Sequence, residues 1–159
     1  MSARDDILEA NARYAATFAH PELPREPRRR LAVVTCMDAR IDPLAALGLE
    51  LGDAHVLRNA GAIVTDDVLR SLALSHAVLG TREALVVGHT GCGLHGASNE
   101  ELCAAVGVSA VDFLPFADLD ESVREGVRRI RESPLLPDAF GASGYVYDVS
   151  TGRLRVVTI

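Results

Sequence analysis

Apolar positions along this chain alternate between two regimes, short dense runs and longer stretches with helical spacing. Leu31 to Cys36 forms the densest run, the pattern of a strand buried on both faces of a parallel sheet. Residues 54–57 and 83–88 repeat it and predict a second and a third strand. Helical spacing begins earlier, at residues 4–19, where Ile7, Leu8, Tyr14, Ala15 and Phe18 define an amphipathic helix that ends before Pro21. Residues 42–48 predict a helical turn closed by Gly48. Thr65 is a good N-cap, and Asp66 and Asp67 follow it at the positive end of a helix that runs through Leu69, Leu72, Ala73 and Val78 to a C-cap at Gly80. Two more helices are predicted over 99–106 and 119–132. Tyr145 to Tyr147 and Leu154 to Val157 flank Asp148 to Gly152 and read as a terminal hairpin. Strands alternating with helices predict an α/β fold: a mostly parallel central sheet flanked by helices, with the last strand antiparallel at an edge.

The length of 159 residues fits a single domain over 1–159, with 1–30 forming an N-terminal helix and a Pro- and Arg-rich arm. A hydrophobic fraction of 48% is enough for one substantial core. The formal charge of −6 argues against a nucleic-acid partner, because such affinity comes from clustered cations. The one basic cluster, Arg28 to Arg30, reads as a solvated flank of the first strand. Every basic residue is Arg and none is Lys, a composition bias that no site requires. No run approaches the ~18 apolar residues of a membrane span. Met1 to Asp6 is polar and leads into no apolar segment, so no secretion signal is expected. Three cysteines without such a signal predict a cytoplasmic setting, where thiols serve more often as metal ligands or catalytic groups than as disulfides.

Two clusters carry the chemistry. Cys36, Asp38 and Arg40 leave the first strand at alternate positions, and His89 and Cys92 leave the third as His-x-x-Cys. Ligands in open α/β sheets bind beyond the carboxyl ends of strands, so both clusters are expected in one crevice. Thiolate and imidazole together suit zinc, and three protein ligands with an open fourth place match a catalytic rather than a structural site. Glycines at 88, 91 and 93 ease the tight turn around the second pair. Asp38 is the candidate for the fourth place. It could coordinate zinc directly, or stand aside and accept a hydrogen bond from bound water. Arg40 could grip that carboxylate with two parallel hydrogen bonds. Singly, each residue has a commoner role: Cys36 as a core cysteine, Asp38 with Arg40 as a surface ion pair, His89 as a loop histidine. Their joint placement at strand ends outweighs this. Cys103, inside an apolar helical pattern, reads as a buried small hydrophobe. His55 reads as a packed histidine and His95 as a more exposed one; neither is assigned as the proton carrier.

The five positions Cys36, Asp38, Arg40, His89 and Cys92, with Arg58 and Asn59 between them, resemble the β-class carbonic anhydrase family, most closely its short bacterial members. The resemblance is strong over residues 31–95. It implies one zinc ion per chain on Cys36, His89 and Cys92, an Asp38–Arg40 dyad in which the aspartate closes the zinc site in some members, and an N-terminal helix packed on a second subunit of a homodimer or larger assembly. It also implies reversible hydration of carbon dioxide to bicarbonate; because two thiolates would cancel the charge of the ion and weaken its pull on water, activity is expected to rise toward alkaline pH. One departure stands out: many members carry glutamine about nine residues before the first zinc cysteine, and here that position is Pro27. Two rivals stay open from sequence. The same scaffold could hydrolyse carbon disulfide or carbonyl sulfide, or hold zinc without turnover as a binding or sensor protein. A thiol redox role is disfavoured by the absence of Cys-x-x-Cys.

Overall fold

The structure, a computed structural model, describes residues 3–159. In chain order its elements are α1 (Ala3–Ala16), β1 (Leu31–Cys36), α2 (Pro43–Leu47), β2 (Ala54–Asn59), α3 (Asp66–Ala77), β3 (Glu83–His89), α4 (Asn99–Val106), α5 (Leu119–Arg131), β4 (Gly141–Tyr147) and β5 (Leu154–Val157). The strands form one sheet in the order β2-β1-β3-β4-β5. β1 pairs in parallel with β2 and β3, and β3 in parallel with β4, while β5 pairs antiparallel to β4 at the edge. The α/β architecture with an antiparallel edge strand is therefore as the sequence pattern predicts.

The dense apolar runs become the sheet centre, where Ala32, Val33 and Val34 of β1 are wholly buried. Alternate residues serve opposite faces. Ala32, Val34, Ala84 and Val86 pack against Val68 and Leu72 of α3 and Val123, Val127 and Ile130 of α5. Val33 and Val87 face the other way, toward Leu49 and the side chains of α2. Local signals set the helix ends. The Asp42 side chain accepts from the N–H groups of Leu44 and Ala45, Gly48 closes α2 in the left-handed conformation, and Thr65 caps α3. Ser98 and Glu101 form a reciprocal capping box on α4.

The differences from the sequence pattern have physical causes. α1 ends at Ala16 rather than residue 19, because the N–H groups of Thr17 and Phe18 turn back to Tyr14 and Ala15 in tighter three-residue bonds. The regular part of α3 stops at Ala77, and Gly80, at φ 75°, turns the chain out two residues past Val78. β2 runs on to Asn59, beyond the apolar segment. β4 starts at Gly141, four residues ahead of the apolar signal, because Gly141 and Gly144 hide the strand from hydrophobic patterning. Gly144 is needed there, since a Cβ would sit 2.7 Å from Val123 and push α5 off the sheet. The part of the domain and secretion readings that falls on residues 1 and 2 lies outside the described residues. Among the described residues no helix is long and apolar enough to cross a membrane.

Candidate metal centre

β1 and β3 are adjacent and parallel, so their carboxyl ends, with Cys36 and His89, open at the same edge of the sheet. The chain leaving β3 turns at Thr90 and Gly91, the latter at φ 65°, and returns Cys92 beside them. The Sγ atoms of Cys36 and Cys92 and a ring nitrogen of His89 lie within 4.8 Å of one another, and all three residues are buried. Zinc–sulfur bonds of ~2.3 Å and zinc–nitrogen bonds of ~2.0–2.1 Å put the donors of one tetrahedral ion within about 4 Å of each other, so small side-chain adjustments would seat the ion.

The histidine supplies an independent test of that fit. Its Nδ1 donates to the Thr90 carbonyl at 2.9 Å, which leaves Nε2 as the bare lone pair. Nε2 is the one buried side-chain nitrogen or oxygen without a hydrogen-bond partner among the described residues. Such a group carries a desolvation cost unless something absent from the chain satisfies it. The thiols tell the same story. Burial first, and then the neighbouring Cys36, push the Cys92 thiol up, while the backbone N–H groups of Leu94 and His95 draw it down. A divalent cation would supply the opposite charge that two buried thiolates require.

The segment after Cys36 is held rigidly. Arg58 donates from Nε to the Cys36 carbonyl at 2.9 Å and from Nη2 to the Asp38 carbonyl at 2.7 Å. The Asn59 side chain clips Ile63 through both its amide atoms, and the Gly61 N–H donates to Cys36 Sγ at 3.3 Å. Gly61 sits at φ 82°, and a Cβ there would come within 2.8 Å of Leu94. Sequence reading found Arg58 and Asn59 only as matching letters; their work as clamps shows only once β1 and β2 are paired.

Asp38 does not join the trio here. Both its carboxylate oxygens face Arg40, with Nε on Oδ1 at 2.9 Å, Nη2 on Oδ2 at 2.7 Å and the Arg40 backbone N–H also on Oδ1 at 2.9 Å. Its Oδ2 nevertheless lies 3.9 Å from His89 Nε2, at the mouth of the trio. These hydrogen bonds hold the Asp38 carboxyl well below the usual carboxylate range. Arg40 also donates to the Gly91 carbonyl at 3.0 Å, joining the two sequence clusters. Cys103 is buried on α4 with its Sγ donating to the Val111 carbonyl. His55 is packed between Ser75 Oγ (2.7 Å) and the Arg25 carbonyl (3.1 Å), whereas His95 is exposed and stacked on Phe116.

Residues 31–112 match the family model described as carbonic anhydrase. The chain is also 42% identical to Beta-carbonic anhydrase 1 of Mycobacterium tuberculosis, over 99% of each protein. It belongs to the β-carbonic anhydrase family. Within that family it superposes on the crystal structure of a carbonic anhydrase from Streptococcus mutans with a TM-score of 0.93, at 48% identity and with 99% of each chain covered. It is further similar to a carbon disulfide hydrolase from Acidianus, at 39% identity over 80% of this chain and 76% of that one.

Proposed function

We propose that this chain is a zinc-dependent carbonic anhydrase, with Cys36, His89 and Cys92 as the metal ligands and Asp38 and Arg40 as the working dyad. The orphaned Nε2 of His89 beside two buried thiols is the observation that carries the zinc reading. Zinc, when bound there, supplies the positive charge that acidifies water and makes it a nucleophile toward carbon dioxide. The chain's own residues do the orienting. Asp38, ionised by its hydrogen bonds to Arg40, is an acceptor only, so the water it touches must turn a proton toward it and a lone pair toward the substrate. Arg40 fixes the carboxylate in one plane and keeps it at the mouth of the trio.

Carbon dioxide is favoured over carbon disulfide by coverage, 99% of the chain against 80% for the hydrolase relative. Stopped-flow hydration on metal-quantified protein, beside a carbon disulfide assay, tests this directly. Two thiolates cancel the charge of the ion, so activity should rise steadily from about pH 6 to about pH 9. Asp38 is not the titrating group in that window. Its pKa is depressed below 3.8, so its charge, and the stability it brings, is present above that value and lost only in stronger acid. A flat profile down to pH 6 would contradict the charge argument.

We further propose that the chain works as a homo-oligomer built through α1, with residues 1–159 as one domain in the cytoplasm. Every described residue of α1 is exposed, Ile7 at 67% and Leu8 at 59%, and Met37 beside Cys36 is exposed at 67%. A lone 14-residue helix is marginal in water and gains most of its stability by packing. Removing residues 1–16 should convert an oligomer to monomers in light scattering; an already monomeric full chain would refute the assembly.

A further inference from the structure

We propose that Thr90 is a positioning residue for His89, held in turn by Asp148 and the β4–β5 turn. The inference rests on the reading of Cys36, His89 and Cys92 as a zinc site. His89 presents Nε2 to the thiols only because its Nδ1–H is occupied by the Thr90 carbonyl. Ligating imidazoles depend on such a partner to fix both tautomer and ring angle. Here the partner is the next peptide in the chain, so the orientation of residue 90 decides the orientation of the ring.

Three bonds to a distant segment set that peptide. The Thr90 N–H donates to the Tyr147 carbonyl at 3.0 Å, extending the β3–β4 ladder one step past His89. Its Oγ1 accepts the Val149 N–H at 3.2 Å and donates to Asp148 Oδ1 at 3.4 Å. Asp148 is itself fixed, since the same Oδ1 accepts the Ser150 N–H at 2.8 Å and the Ser150 hydroxyl at 2.7 Å. On the far side of the peptide, Arg40 holds the Gly91 carbonyl at 3.0 Å. The metal-facing geometry of β3 is thus tied to a hairpin turn almost sixty residues later in the chain. No pairwise motif in the sequence joins these two places.

Thr90→Val keeps the branched shape and removes only the hydroxyl, leaving the Val149 N–H without its partner. Zinc affinity, read by chelator competition, should fall about ten- to a hundredfold. Thr90→Ser keeps the hydroxyl and should stay within about threefold of the parent. Asp148→Asn should weaken zinc in the same direction by a smaller factor. The cobalt-loaded forms add a second readout: the ligand-field absorption should shift and broaden in Thr90→Val and be restored in Thr90→Ser. A Thr90→Val protein with lowered melting temperature but parental zinc affinity and cobalt spectrum would make the residue merely structural and overturn the proposal. Should the parent chain itself fail to hold one zinc, the trio reading falls first and this inference with it. A parent that holds zinc while all three variants match it sinks the inference alone.

Discussion

Replacing His89 or Cys92 with alanine is expected to take the zinc content of the purified protein from about one per chain to near zero, and carbon dioxide hydration with it. A zinc site of four protein ligands binds with ~10–16 kcal/mol, or about 2.5–4 kcal/mol per donor, so loss of one donor costs about sixtyfold to several hundredfold in affinity. The proposed set of three protein donors would leave little surplus to absorb that loss. Cys36→Ala should behave alike, while Cys103→Ala should retain its metal, because that thiol, on α4, donates to the Val111 carbonyl and is not among the three clustered donors Cys36, His89 and Cys92. Metal analysis after dialysis against a chelator reads the result without any assay of turnover. Circular dichroism on the same samples separates metal loss from unfolding. A Cys92→Ala protein that still carried one zinc would require a different ligand set.

How much of this was legible beforehand follows the range of the interactions. β1 and β3 could be read because central parallel strands are apolar on both faces, and the caps at Thr65 and Gly48 act within a few residues of their own position. Cys36, His89 and Cys92 could be read together because a strand's carboxyl end is a defined place, and two such ends in a parallel sheet are neighbours. β4 escaped in part, because Gly144 is set by the close approach of α5 and Gly141 lies against Glu83, and neither glycine carries an apolar signal. The Asp38–Arg40 pair was visible at spacing two, but whether the carboxylate faces the guanidinium or the trio depends on Gly91 and Arg58. Thr90 and Asp148 escaped entirely, since their bond spans a sheet and a hairpin. Local chemistry was in the letters; the support around it was in the topology.

Arg40→Ala should lower kcat/KM about a hundredfold or more while leaving zinc in place or bound more tightly. Without the guanidinium, Asp38 loses both side-chain hydrogen bonds that hold it aside, and its Oδ2 already lies 3.9 Å from His89 Nε2. A free carboxylate that close to the trio is a good oxygen ligand, and occupying the fourth place excludes water. Asp38→Ala makes the opposite change: the site stays open, but the water is no longer oriented, a contribution of general-base order worth about 10²-fold. The two losses arise in different ways, so they should not add. The double variant lacks the carboxylate that would close the site, and it should be no less active than Arg40→Ala alone. Cobalt-loaded Arg40→Ala should show an absorption spectrum that hardly moves between about pH 6 and about pH 9, whereas the parent spectrum should change with pH, since a place left free by Asp38 would admit a titratable water. Additive losses in the double variant, with a pH-sensitive cobalt spectrum in Arg40→Ala, would mean that Arg40 serves only as a charge beside Asp38 and does not control access to the metal.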